Sequence, residues 1–528
     1  VNKLIKLVDH SFKWYIKDNI SVIGYAFIEE EYLNHEELAY YIKVNLDKYK
    51  DLNKILTELN GFFSIVIESG ENIYLCCDRT RSFPLFYYID HEGIRISNFT
   101  KEIVGEKIEL DSEAVEEFKY SSFVTGGDTL IKNLKAVQAG EFITINKYNY
   151  EVLKNTYYEF AHKEYLDIHK VELIKTIHEK YMGVFKRLIR SVEGRTIVIP
   201  LSGGYDSRLI VQMLYLLNYK NIICFSYGKL GNKESLISKK VAEHFGFKWI
   251  FIEYTESKLK AMYEDIDKCE NFASNYVSVI HLQDYIAIKE MKENSLIPDD
   301  SVIVPGHSGD FIAGSHIKQC LTKNMKNHNT INNEIIKSHY NLFKIRNYKS
   351  IKARVNKNYK VIGTNSIKNN ISHFEKFDWR ERQCKFIINS VRMYELFNFQ
   401  WRIPLWDFEL IDYWCEIGYR YRINRNLYIE YANGLELEQG LHLNQNNVKS
   451  EKSCGVGVVI KEKIKESFLG GILRFIKFII SYDKKEFGFN NLMKRHTFIK
   501  KGIMGAINDN SIFADEYLLK VLKRSRSK

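Results

Sequence analysis

Six consecutive residues, Ser202-Gly203-Gly204-Tyr205-Asp206-Ser207, carry the strongest chemical signal in the chain. An apolar run over 196–201 precedes them, and a stretch with helical spacing over 208–214 follows. Two glycines let a backbone approach a ligand closely, and successive amide N–H groups can then converge on one cavity. The start of a helix adds a partial positive charge. Ser202 and Ser207 offer hydroxyl donors. The combination predicts a cradle for phosphate or pyrophosphate. Asp206 has the wrong charge for phosphate by itself, but suits a Mg²⁺ ion that bridges phosphates. The lysine of a GxxxxGK[ST] loop is missing, so the pattern is not of the Walker type. A capped glycine turn is the purely structural alternative. The full pattern at a strand–helix junction favours a nucleotide.

The surrounding elements must position this loop. Up to about residue 150 the chain reads as β-rich, with strands over 61–67, 73–77, 85–89, 94–97 and 141–145 and a hairpin turn at Ser69-Gly70. Near residue 167 the pattern changes. A long amphipathic helix is expected over 166–192. Four short apolar runs, 196–201, 222–226, 249–253 and 302–305, then alternate with helical segments. That alternation predicts a parallel sheet with right-handed crossovers, whose ligands bind at the carboxyl ends of the strands. From about residue 378 the chain reads as helical. The expected fold class is α/β: a β-rich N-terminal domain over 1–155, a doubly wound parallel-sheet domain over 166–435, and a helical extension over 436–528.

Composition limits the alternatives. A chain of 528 residues predicts two to four domains. Its eight cysteines form no CxxC pair, which argues against structural zinc and a disulfide framework and for free thiols in the cytoplasm. The N-terminal segment lacks the apolar centre of a signal peptide, and no run is long enough to span a membrane. Residues 468–482 approach this, interrupted by Arg474 and Lys477, and read as a core-facing helix or a membrane-surface one. The basic end, Lys520 to Lys528, reads as a solvated terminus or a contact for an anionic partner. No nucleic-acid-binding module is visible, so no nucleic-acid partner is expected.

Over roughly residues 55–435 the sequence resembles the asparagine synthetase family, whose synthetase domain carries an SGGxDS loop. Leu59 to Ser64, followed by Cys77 to Tyr87, resembles the later part of that family's N-terminal glutaminase domain, an Ntn-hydrolase fold. Phe225-Ser226-Tyr227-Gly228 resembles the strand end that meets adenine through its backbone. Glu234 and the helix after it fit the next family element. Val304 to Asp310 resembles the LSGEGxDE loop, and Arg402 to Asp407 the RxPFLD segment. The resemblance implies an ATP-pyrophosphatase (PP-loop) domain. It implies an ATP-contacting set of Leu201, Ser202, Gly203, Gly204, Asp206, Ser207, Tyr227, Pro305 and Gly306, with Mg²⁺ on Asp206 and Asp310. The implied reaction starts with attack of a substrate carboxylate on the α-phosphorus of ATP, giving an acyl-adenylate and pyrophosphate. A nitrogen nucleophile then displaces AMP.

The departures matter equally. Family members that hydrolyse glutamine begin with a mature N-terminal Cys. Here the chain reads Val1-Asn2-Lys3 and its first cysteine is Cys76, so the N-terminal domain is expected to be a degenerate glutaminase. His307 stands where the family has a catalytic Glu, either as a general base or as a loop hydrogen-bonder. Pro305 replaces the loop serine, and Asp310 lacks the family's following Glu. Arg425 or Arg422 is the candidate for the missing lysine that steadies the adenylate. Glu395 is a further catalytic candidate.

Three classes of function follow. The first is an ATP-dependent amide-forming ligase, cytoplasmic, acting on a small-molecule or peptide carboxylate with ammonia or an amine, with a homodimer as the expected assembly. Its variants include β-lactam closure, lasso-peptide cyclisation and amidation of a surface-polysaccharide sugar acid. The second is another adenylating chemistry, such as nucleobase thiolation, disfavoured by the lack of CxxC. The third is a non-catalytic ATP-binding regulator.

Overall fold

The computed structural model describes residues 2–443 and 509–526, apart from 165, 167, 324–328, 344, 346 and 361–365. Residues 468–482 and the greater part of the predicted C-terminal extension therefore lie outside the described residues.

Two sheets form the N-terminal region. A seven-stranded sheet runs Val152–Thr156, Glu141–Asn146, Asn72–Cys77, Asn60–Ser69, Ile20–Ile28, Tyr15–Lys17, with Glu31–Leu33 paired to Ile20–Ile28. A four-stranded sheet runs Lys3–Lys6, Gly93–Ser97, Phe86–Asp90, Leu134–Ala136. Alternation along the strands explains the layering. Val22, Phe63, Ile65 and Ile67 pack with Leu38, Ile42, Ile55 and Leu56 from the helices His35–Tyr49 and Leu52–Glu58. Ile23, Tyr25, Phe62, Val66 and Leu75 share a core with Tyr87, Ile94 and Ile96 of the smaller sheet. With both faces covered, Asn60–Ser69 is a nearly continuous apolar run. The predicted hairpin turns at Gly70, whose φ of +54° favours glycine.

The second sheet system is parallel. Its order is Lys248–Glu253, Ile222–Gly228, Ile197–Pro200, Val302–Ile303, Gln400–Trp401. Every neighbouring pair is parallel. The strand Ile197–Pro200 lies between the second strand of the series and the fourth. Successive connections therefore leave it in opposite directions, which makes its carboxyl end a topological switch point. The fifth strand, Gln400–Trp401, is an addition to the four read from sequence. The long helix Lys170–Val192 begins a few residues later than expected.

The predicted domain boundaries do not separate the cores. Phe118, Phe123 and Ile131 pack in one cluster with Ile335, Tyr340, Phe374 and Phe377, and with Tyr517 of the helix Asp509–Arg526. The helix Asn426–Glu438 crosses the expected boundary at 435. Arg187, only 2% exposed, clasps Asp407 through Nε and Nη2, both at 2.9 Å. Asn60 Nδ2 donates to the same carboxylate at 3.2 Å and its Oδ1 accepts from Phe408 N at 3.0 Å. Trp379 Nε1 donates to the Arg79 carbonyl at 2.9 Å. The basic end is partly engaged: Lys520 pairs with Asp267 (2.6 Å) and Glu270 (2.9 Å). Described cysteines are free thiols, buried except for Cys320. Among the described residues no helix is long and apolar enough to cross a membrane.

Candidate active site

The switch point opens into a cavity of about 400 Å³. Its walls come from the loop after Ile197–Pro200, the end of Ile222–Gly228, residues 281–284, the loop after Val302–Ile303, and Arg425.

The 202–207 loop is held before any ligand arrives. Ser202 N donates to Ser207 Oγ at 3.1 Å, and the two hydroxyls lie 3.2 Å apart. Gly204 N donates to Ser202 Oγ at 3.1 Å. The helix starts at Tyr205, three residues earlier than the spacing suggested, so Asp206 and Ser207 belong to its first turn. Helix N–H groups without intrahelical partners therefore sit beside the cavity. Leu201 is anchored through its N–H to the Phe225 carbonyl at 2.8 Å and lines the cavity with Ser202, Gly204, Asp206 and Ser207. Gly203 does not line it. A Cβ there would meet Ile237 Cδ1 at 3.2 Å, so this glycine serves helix packing.

The second loop carries Pro305, Gly306, His307 and Asp310, all on the cavity wall. Gly306 is required by contact: a Cβ would sit 2.8 Å from Ser207 N and 3.1 Å from the Asp206 carbonyl carbon. Asp310 N donates to Asp206 Oδ2 at 3.1 Å, and Tyr428 Oη donates to Asp206 Oδ1 at 2.7 Å. Burial, followed by the charge of Asp310, pushes the Asp206 carboxyl up to about 7. His307 Nε2 lies 3.2 Å from Ser390 Oγ, while its buried Nδ1 has no partner. Burial lowers this imidazole to about 4, so it is neutral near pH 7 and able to accept a proton.

The two arginine candidates separate. Arg422 is fully buried, forked onto Glu375 at 2.7 and 3.0 Å and onto the Ile312 carbonyl at 2.9 Å. Arg425 lines the cavity. It and Asn424 both have positive φ, +59° and +55°. Such backbone is uncommon outside glycine and clusters at functional sites. Glu395 is corrected: it is buried against Arg392 (2.6 Å) and Trp401 Nε1 (2.9 Å), away from the cavity, and holds structure there. Tyr227 lines the cavity, donates to Asp284, and stacks on Tyr254 at 5.1 Å.

Tyr428 and Asp284 escaped sequence reasoning. Neither sits in a local motif, and Tyr428 reaches Asp206 across 222 residues of chain.

The residues present fit a divalent cation. Asp206, Asp310, Glu234 and Asp284 line the cavity against a single guanidinium, that of Arg425. A triphosphate would enter this field only with added positive charge. Among the described residues no group of three or more His, Cys, Asp or Glu could hold a metal ion. Asp206 and Asp310 would thus share the ion with phosphate oxygens and water, as Mg²⁺ commonly requires.

A parallel sheet with a glycine loop and paired acids at its switch point defines an α/β architecture of the kind whose ligands bind at the carboxyl ends of the strands. Residues 187–429 match the family model described as asparagine synthase. Members of that family use ATP. Two solved structures are similar to parts of the chain. One is an NH3-dependent NAD synthetase from Campylobacter jejuni subsp. jejuni NCTC 11168 in complex with the nitrate ion. It is 13% identical, with 28% of this chain and 61% of that one covered and a TM-score of 0.19. The other is a glutamine phosphoribosylpyrophosphate amidotransferase from B. subtilis complexed with ADP and GMP. It is 10% identical, with 56% and 63% covered and a TM-score of 0.19. The chain spans less than two thirds of either. No curated protein matches it.

Proposed function

We propose that the protein activates a carboxylate with ATP as an acyl-adenylate and joins it to ammonia or an amine, releasing AMP and pyrophosphate. The observation that carries this reading is the convergence of the 202–207 loop, the Asp206–Asp310 pair and His307 on one cavity. The loop N–H and hydroxyl groups bind the phosphates where charge builds on the departing pyrophosphate. Asp206 and Asp310 would hold Mg²⁺, which supplies charge neutralisation of the phosphates when bound. Arg425, on the cavity wall, would fork onto phosphate oxygens. His307, neutral and with Nδ1 free to accept, takes the proton of the attacking nitrogen.

The test is carboxylate-dependent exchange of labelled pyrophosphate into ATP. Exchange is expected with at least one member of an acid panel. Asp206→Asn should lower it by about 10²–10³-fold, the usual cost of losing one group that stabilises transition-state charge. No exchange with any acid, together with unchanged ATP affinity in Asp206→Asn, would overturn the reading and leave a non-catalytic ATP-binding role.

A further inference from the structure

Asp284 stands at the N-cap of the helix Tyr285–Glu293, yet its side chain makes no capping hydrogen bond. Aspartate is favoured at such positions because its carboxylate accepts from the first helical N–H groups. Here the carboxylate lines the cavity and accepts instead from the hydroxyls of Tyr227 and Tyr394. Tyr227 is braced by the stacked ring of Tyr254, whose own hydroxyl donates to the Gln283 carbonyl at 2.6 Å. Two neutral donors fix the carboxylate without cancelling its charge. Among the described residues no lysine or arginine forms an ion pair with it. The nearby imidazoles, His281 and His307, are both shifted down by burial and so add no counter-charge at neutral pH.

A fixed negative charge beside a site for a polyanion works against that polyanion. It suits a positively charged ligand. An ammonium group can donate to both carboxylate oxygens and gains further from a flanking tyrosine ring.

We propose that Asp284 is the recognition site for the nitrogen co-substrate, a primary organic amine docked as its ammonium on Asp284 beside His307. Its role as a nucleophile rests on the ligase reading above. The docked ammonium gives one proton to water and attacks the acyl carbon with the freed lone pair. The new C–N bond forms as the C–O bond to AMP breaks, and that electron pair leaves on the AMP oxygen. Once bonded to the acyl carbon the nitrogen is a far stronger acid; it gives its second proton to His307 Nδ1, and His307 then returns that proton to solvent.

Calorimetric titration of the full chain with butylammonium chloride, butanol and sodium butyrate tests the site without turnover. Only butylammonium should bind. Asp284→Asn should weaken it by about tenfold or more, the scale of one charged hydrogen bond, while ATP–Mg²⁺ still binds. Tyr394→Phe should weaken it less. The proposal is overturned if butanol or butyrate binds the wild-type chain as tightly, if Asp284→Asn retains butylammonium, or if that variant loses ATP in parallel. The wild-type comparison decides the matter even where a variant fails to fold. Missing pyrophosphate exchange would remove the ligase reading while leaving this binding result readable on its own.

Discussion

At the scale of single residues, Tyr428 supports the carboxylate at the centre of the site. Its hydroxyl is the only side-chain donor that reaches Asp206 among the described residues. Tyr428→Phe should keep the fold, since the ring stays buried, and lower pyrophosphate exchange about tenfold, as expected for one hydrogen bond to a charged group. Histidines set the acid limit. Burial lowers His10, His307, His339 and His373 to about 4, and His162 to about 3. The unfolded chain protonates these rings below about pH 6.5, whereas the folded chain resists until about 4. The unfolded state thus binds more protons in that window, and stability falls as pH drops through it. His316 runs the other way: burial disfavours its charge, but the Asp378 carboxylate beside it outweighs this and raises it. Melting temperatures at pH 7, 6 and 5 should decline steadily, and a flat profile would contradict the assignment. The 202–207 loop was legible in sequence because its chemistry lies within six adjacent residues. Tyr428 and Asp284 were not, because tertiary packing alone brings them to the cavity.

At the scale of elements, the two loops at the switch point fit by backbone contact. Gly306→Ala would place a Cβ 2.8 Å from Ser207 N. Backbone cannot yield as a side-chain tip can, so the two loops must part. The expected cost is about 1–3 kcal/mol of stability, and exchange should fall about 10²-fold from misplacement of the site. Thermal melts and the exchange assay on one preparation separate the two effects. Sequence periodicity exposed four of the five parallel strands. The fifth, Gln400–Trp401, has two residues and therefore no period to detect. The strand Ile20–Ile28 is marked in the sequence by its apolar stretch from Val22 to Ile28. The wide i→i+5 winding over Asp378–Ile387 leaves no compositional trace. The glycines of the 202–207 loop were expected for close approach of the backbone to a ligand. Neither has positive φ, and close approach is the reason that remains for them.

At the scale of the whole molecule, Asp407 ties three segments together: Asn60 of the seven-stranded sheet, Arg187 of the long helix, and the start of Phe408–Glu416, whose Glu409 N–H it caps at 3.1 Å. Arg187→Ala would strand this carboxylate, which is 8% exposed. Breaking a buried pair from one side costs about 3–5 kcal/mol. The expected result is a lower melting temperature, with earlier proteolytic release of the N-terminal sheets as the independent check. Sequence reading divided the chain at 155 and 435. The cores cross both places because residues 103–136 and the helix Asp509–Arg526 pack on one cluster, and no local pattern announces such long-range sharing.

The 222 residues between Asp206 and Tyr428 also bear on synthesis. A ribosome delivers the phosphate loop long before the hydroxyl that steadies its acid, and before Trp401 closes the sheet. Closure over such separations is slow compared with local contacts. A nascent chain halted before residue 425 would display the loop without the cation and the hydroxyl that complete the site. Nucleotide capture should therefore begin only late in translation.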